Sequence, residues 1–294
     1  MSINIRQLNQ SDYSYLETMQ TGKDNDYVLQ IFDRLITGNN RLFGLFLDNQ
    51  LVSVGGYSIF AGRYAMLGRL RSDLRFRGNS YASKLMAYMR DEALNLEEVQ
   101  WVGANTQEEN FAARRVMDKN GFKTYSRLHG AMTKDTSALE SGTNPWKPIQ
   151  NLQRKKDWLN KMYPALSEVF PYQCFYPFPV SSDLFQDEEV NQWSFYENET
   201  GSRVVIIKED QKKYHFLQTI YPWEDIDSQP GLWETISREY RDMTERSEDE
   251  TYIWLDMTKE QANRLPTYHQ FKLPSPWILH GVSKAEWLTM KNIS

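Results

Sequence analysis

The chain has 294 residues, 14% of them aromatic, and a formal net charge of −5. That length predicts two medium-sized domains rather than one small one, and the acidic balance argues against the extended basic surface that nonspecific nucleic-acid binding needs. The lone Cys174 excludes an internal disulfide and a thiolate-based metal cluster.

Cys174 itself, in "PYQCFYPF", reads as a packed hydrophobe. His129, His215, His269 and His280 show neither the i, i+4 metal spacing nor an HExxH pattern, so each reads as structural and no metal is expected. The opening "MSINIRQLNQSDYSYL" lacks a long apolar run and places Arg6 and Asp12 early, which predicts neither a signal peptide nor a membrane span. A cytoplasmic protein without a membrane partner is expected.

In chain order, the apolar patterning predicts a strand over 3–8, helices over 13–19 and 27–36, and strands over 41–48 and 51–60 turning at Asn49-Gln50. A short apolar strand, "YAMLGRL", leads into "RSDLRFRGNSYASKLMAYMRDEA". Ala82, Leu85, Met86, Met89 and Ala93 recur on one helical face, so this stretch is an arginine-bearing turn followed by a helix. Gly78, Asn79, Ser80 and Ala82 keep the turn poor in side chains. A ligand can then approach the backbone, and the orphan N–H groups of the first helical turn, the helix dipole, Arg75 and Arg77 all favour an anion such as phosphate. An ordinary solvated basic turn is the alternative. A strand over 99–105 follows, then a helix over 108–120 stopped by Gly121, a residue that tolerates the left-handed conformation, and two short extended pieces within 121–134. The order predicts an α/β layered sheet with helices on both faces.

With these residues placed, 1 to about 134 resembles the GNAT superfamily of acyl-CoA-dependent N-acetyltransferases. The family's coenzyme loop, Arg/Gln-x-x-Gly-x-Gly/Ala, is matched by Arg77-Gly78-Asn79-Ser80-Tyr81-Ala82, and its Asn-x-x-Ala and Gly-Phe segments by Asn110-Phe111-Ala112-Ala113 and Gly121-Phe122. The resemblance implies acetyl-CoA as cosubstrate, with pantetheine amides on the backbone of Leu70, Arg71 and Ser72 and an oxyanion held by an N–H near Leu70. It also implies a pyrophosphate on Gly78, Asn79, Ser80, Tyr81, Ala82 and Ser83, with Arg77 and Asn110 beside the coenzyme. Two departures stand out. Ser80 replaces a glycine, and Met117 occupies the position where many members carry the tyrosine that protonates the leaving thiolate; a thioether cannot donate a proton. Tyr125, a water or unassisted departure would have to serve, and Asp73 and Glu109 are weak candidates for the base.

The stretch 138–150 is poor in apolar residues and holds two prolines, so it reads as a linker between a 1–137 coenzyme-binding domain and a 151–294 domain. The second domain repeats the order of the first: a helix over 152–166, extended pieces over 192–199, 203–210 and 213–222, a helix over 231–243, a strand over 251–257, a helix over 258–271 and a strand over 276–283. Ala262 precedes Phe271 by nine residues, as Ala113 precedes Phe122. A degenerate GNAT-like half is therefore expected, though this element order also recurs in other α/β domains. Its loop "PWEDIDSQPG" offers Glu224, Asp225 and Asp227 with no positive charge, so it should not bind the coenzyme but shape acceptor selection. The aromatic segment 162–185 reads as a loop packed by Phe170, Tyr172, Phe175, Tyr176 and Phe178, or as an acceptor-binding wall.

The expected activity is transfer of an acetyl group from acetyl-CoA to a primary amine of a small molecule or protein, by a monomer or homodimer with no nucleic-acid partner. A noncatalytic acyl-CoA-binding or regulatory module is the alternative. An aminoacyl or peptidoglycan-bridge transferase would need a basic surface that the composition lacks.

Overall fold

The computed structural model describes residues 2–166 and 168–292. The elements run β1 (Ile3–Gln7), α1 (Tyr13–Glu17), α2 (Tyr27–Gln30), α3 (Phe32–Leu35), β2 (Asn40–Leu47), β3 (Gln50–Phe60), β4 (Tyr64–Ser72), α4 (Tyr81–Asn95), β5 (Trp101–Gln107), α5 (Phe111–Lys119) and β6 (Lys123–Thr133). They continue β7 (Lys147–Ile149), α6 (Leu152–Leu166), β8 (Val169–Gln173), β9 (Tyr176–Pro179), α7 (Asp187–Gln192), β10 (Ser194–Glu197), β11 (Val204–Gln211), β12 (His215–Ile220), α8 (Leu232–Arg246), β13 (Thr251–Met257), α9 (Lys259–Arg264), β14 (Trp277–Ser283) and α10 (Lys284–Lys291). Two compact units result, one of 1–124 with 279–294, the other of 125–278. The sequence expectation drew its divisions at 137 and 151.

The first unit is a mixed sheet in the order β1-β2-β3-β4-β5-β14. The β2–β3 hairpin turns at Asp48 and Asn49, whose φ angles of 44° and 67° are left-handed, rather than at Asn49-Gln50. The apolar stripe of α4 is buried as its spacing predicts, Leu85, Met86, Met89 and Ala93 all lying in the core under β2–β5. The edge beside β5 is closed by β14, from the far end of the chain. Two glycines make this approach possible: a Cβ would fall 1.9 Å from the Trp101 ring at Gly103 and 2.1 Å from it at Gly281. The 27–36 helix is broken by Ile31 into α2 and α3.

The second unit orders its strands β7-β10-β11-β12-β13-β6. Both units therefore place one parallel pair, β4 with β5 and β12 with β13, after a run of antiparallel strands. Helix α8 packs Trp233, Ile236 and Met243 into the core of this unit. Several expectations change here. The extended pieces within 121–134 are one strand, β6. The 138–150 stretch is tied down, Trp146 being buried with its N–H on the Thr235 hydroxyl at 2.7 Å and its indole N–H on the Pro230 carbonyl at 2.7 Å. The 162–185 segment forms the hairpin β8–β9, flanked by the end of α6 and a 3-10 turn, with Phe170 and Phe178 buried. Helix α9 ends at Arg264, two residues before Pro266, so Phe271 lies outside a helix and the Ala262–Phe271 parallel fails as a helix signature.

Candidate functional site

Strands β4 and β5 pair in parallel from Tyr64↔Trp101 to Leu67↔Ala104 and then part. β4 runs on to Ser72, held on its other side by β3, so among the described residues Gly68–Ser72 show one edge with no strand across from it. A bulge lies within that free stretch: Val54 pairs with Arg71 and Gly56 with Gly68, which sets Arg69 and Leu70 against Gly55 alone. Arg69 takes φ 57° to make it. Bulges turn backbone groups out of the ladder, and here the turned groups belong to Leu70, one of the residues expected to face the thioester.

Beyond β4, Asp73 starts a 3-10 turn (Leu74–Phe76) and the chain reaches α4 through Arg77-Gly78-Asn79-Ser80. Gly78 has φ 87° and a Cβ there would meet open space, while Ser80, the N-cap of α4, is left-handed at φ 61° and makes no side-chain cap. The first N–H that bonds back to the cap is that of Lys84, on the Ser80 carbonyl at 3.0 Å. The N–H groups of Tyr81, Ala82 and Ser83 thus have no partner within the helix and sit at its positive end. Arg77 is exposed, and its guanidinium has no hydrogen bond or ion pair among the described residues. Asn79 braces the turn through its amide on the Phe76 carbonyl at 3.1 Å.

Several other expected site residues have side-chain partners of their own. Arg71 forms a fork onto Asp26 at 2.6 and 2.8 Å. Asn110 caps α5, accepting from the Ala113 N–H at 3.2 Å and donating to Thr106. Asp73 is buried and accepts from the N–H groups of Arg75 at 3.0 Å and Gln20 at 3.2 Å and from the Arg75 guanidinium, which hold its pKa down at about 2. A carboxylate so held is no proton acceptor near neutral pH, and Asp73 is withdrawn as a base. Arg75 is likewise spent on Asp73 rather than free for a phosphate. Glu109 is exposed on the turn before α5. Tyr125, in β6, belongs to the second unit. Met117 is buried among the core residues between α5 and the sheet.

His280 carries a signal the sequence reading missed. It is buried on β14 in the first unit, and neither ring nitrogen has a hydrogen-bond partner among the described residues. Burial pushes its pKa down, against the pull of Asp118 on α5. Its spacing in the sequence is ordinary, so only the return of the chain to β5 reveals it.

The loop of the second unit is arranged differently. Asp225 accepts from Tyr221 at 2.7 Å, Gln229 at 2.8 Å and Arg203 at 3.0 Å; Glu224 takes the Thr258 hydroxyl, and Asp227 pairs loosely with Arg264 at 3.6 Å. The expectation of uncompensated carboxylates is corrected accordingly. The N-cap of α8, Gly231, has φ 80°, but the space its Cβ would enter is filled by the Asn144 carbonyl at 2.4 Å and Trp146 at 2.9 Å. Glu234, in the first turn, accepts from Gly142 N–H at 2.6 Å and Ser141 Oγ at 2.8 Å. This helix start is occupied by the protein's own chain.

A mixed sheet whose parallel pair parts in front of an uncapped, side-chain-poor helix start leaves a strand edge and a positive helix end side by side, an arrangement that favours an anion. Residues 3–122 match the model of the acetyltransferase (GNAT) family, so this part of the chain is a GNAT acetyltransferase domain and the protein is an acyltransferase. Among solved structures, a GCN5-related N-acetyltransferase from Sphaerobacter thermophilus is similar over 96% of this chain and 96% of its own, with a TM-score of 0.55 at 13% identity. A Pyrococcus horikoshii protein assigned as an acetyltransferase covers 96% of this chain and 89% of its own, with a TM-score of 0.52 at 8% identity. At those identities the likeness is one of fold. No curated protein matches the chain significantly. Among the described residues no helix is long and apolar enough to cross a membrane, and no group of His, Cys, Asp and Glu is placed to hold a metal.

Proposed function

We propose that the protein is an N-acetyltransferase that moves an acetyl group from acetyl-CoA to the primary amine of a small molecule or protein. The observation that carries this reading is the parting of β4 from β5 after Leu67↔Ala104, with the uncapped start of α4 just beyond the end of β4. The pantetheine amides pair with the free edge of Leu70, Arg71 and Ser72. The pyrophosphate rests on the N–H groups from Gly78 to Ser83, with Arg77, unpaired among the described residues, as a cation beside it. An N–H at the Leu70 bulge faces the thioester oxygen and stabilises the charge that develops when the amine attacks. With Met117 packed in the core and Asp73 held ionised, neither supplies a proton-transfer group. The thiolate leaves with a pKa of about 8.5 and takes its proton from water or from another hydroxyl. Cytoplasmic location is part of the same reading.

The test is thiol release from acetyl-CoA in the presence of a panel of primary amines, read with a thiol reagent. Amine-dependent release that is absent in Gly78→Val/Ser80→Asp supports the reading. Tight acetyl-CoA binding with no amine-dependent release would favour the noncatalytic module, for which the buried Met117 is the specific observation.

A further inference from the structure

With Asp73 held ionised, the group that takes the proton of the attacking amine has yet to be named. His280 is 2% exposed, and both of its ring nitrogens lack a hydrogen-bond partner among the described residues. The other three histidines each bond a neighbour: His129 the Pro274 carbonyl at 3.2 Å, His215 the Ser247 hydroxyl at 3.0 Å and His269 the Phe271 N–H at 3.0 Å. Buried polar groups are as a rule hydrogen-bonded, and an imidazole left with both nitrogens spare costs stability unless it has a use.

Its place in the fold lies beside the parting of β4 and β5. The Lys284 N–H donates to the Gln100 carbonyl at 2.8 Å, and the His280 carbonyl stands where a Cβ on Gly103 would be. β14 therefore runs antiparallel to β5 and sets His280 beside Gly103. Ala104, the next residue, is the last of β5 to pair with β4. His280 thus stands at the base of the split, one strand away from it. On the helix side the ring is within electrostatic reach of Asp118 and Arg114, which share a face of α5 with Met117. The buried Nε of Arg114 also has no partner among the described residues. Neither β5 nor β14 carries any other ionisable side chain.

We propose that His280 is the proton acceptor for acetyl transfer, reaching the amine through water at the base of the split. This rests on the acetyl-transfer reading and adds the base that it lacks. The amine nitrogen bonds to the acetyl carbon, and the C–S bond breaks with its electron pair going to sulfur. The proton lost by nitrogen passes through water to His280 and from there, again through water, to the sulfur, so the imidazole ends as it began. Burial pushes the pKa of the ring down, Asp118 pulls it up and Arg114 adds to the fall, so the ring is neutral at pH 7 and able to accept.

The experiment compares the full chain with His280→Leu, which keeps an apolar side chain in place of the ring and has no proton to move. Turnover at saturating acetyl-CoA and amine should fall about a hundredfold, while acetyl-CoA affinity by calorimetry stays within about twofold. The melting temperature should not fall, since an unpartnered polar group has been removed. The unaltered protein is followed by NMR with isotope-labelled histidine, the His280 ring being assigned by elimination of His129, His215 and His269. Its resonances should shift with acetyl-CoA but not with the adenosine bisphosphate portion of the coenzyme, which lacks the pantetheine arm. The ring pKa in the acetyl-CoA complex should coincide with the acid limb of the turnover profile, below the ordinary value of about 6.5, and that limb should be absent in His280→Leu. Undiminished turnover in His280→Leu, or ring resonances indifferent to acetyl-CoA, would overturn the proposal; the second readout needs no folded variant. No amine-dependent thiol release from the unaltered protein is failure of the acetyltransferase reading and removes the relay with it, whereas release that survives in His280→Leu removes the relay alone.

Discussion

Helices α4 and α8 are each 15 residues long, each follows the first strand of its unit's parallel pair, and each has a left-handed N-cap with no side-chain cap. In the first unit the start of the helix is open. In the second it is filled by the 141–146 stretch, with Glu234 bonded to that stretch and Trp146 against Gly231. The strand pairs differ in the same sense: β4 runs five residues beyond its last pairing with β5, whereas β12 ends one residue past Thr219↔Leu255. One topology thus carries an open slot in one unit and a closed one in the other, and what decides between them is local packing as much as loop charge.

The largest expected effect comes from filling the open helix start. Gly78→Val/Ser80→Asp should weaken acetyl-CoA by at least about a hundredfold, roughly 2.7 kcal/mol by calorimetry, because it adds a branched side chain at φ 87° and an anion where we propose that the pyrophosphate rests. An unchanged affinity would break the comparison. The corresponding change in the second unit should act on stability alone. Gly231→Ala puts a Cβ 2.4 Å from the Asn144 carbonyl at φ 80°, so a loss of about 1–3 kcal/mol in urea unfolding is expected with acetyl-CoA affinity untouched.

Asp73 sharpens the comparison from another side, since its role is to brace the turn. Its pKa is depressed to about 2 from 3.8, so the stability it contributes is fully present above about pH 4 and is lost as pH falls toward 2. Asp73→Asn should cost about 2 kcal/mol at pH 7 and nearly nothing at pH 2, measured by urea titration at both values. Met117→Tyr should destabilise by about 1–3 kcal/mol through overpacking and change turnover less than about tenfold. A large gain in turnover would show that the site lacked only an acid. The smallest effect is expected from Asp225→Asn/Asp227→Asn, which should leave acetyl-CoA affinity within about threefold, or 0.7 kcal/mol.

Much of the first unit was legible because its information is local. The α4 stripe, the arginine turn and the Gly121 stop, left-handed at φ 73°, all depend on residues within a few turns of one another. Two further local signals were present and misjudged. Asp73 and Arg75 stand two residues apart, close enough to pair, and Pro266 marks the end of α9. What the sequence could not show is long-range: that β14 returns to close the sheet beside β5, that Trp101 needs Gly103 and Gly281 together, and that His280 is thereby buried. The 138–150 stretch was read as a linker from its composition, and the anchoring of Trp146 on Pro230 and Thr235 depends on partners more than 80 residues away.

The central claim is that one of two like helix starts is open to the coenzyme. Isothermal titration of the full chain with acetyl-CoA tests it most directly. A single site per chain is predicted, removed by Gly78→Val/Ser80→Asp and kept by Gly231→Ala. Two sites per chain, or one site that survives the first variant and is lost in the second, would contradict it.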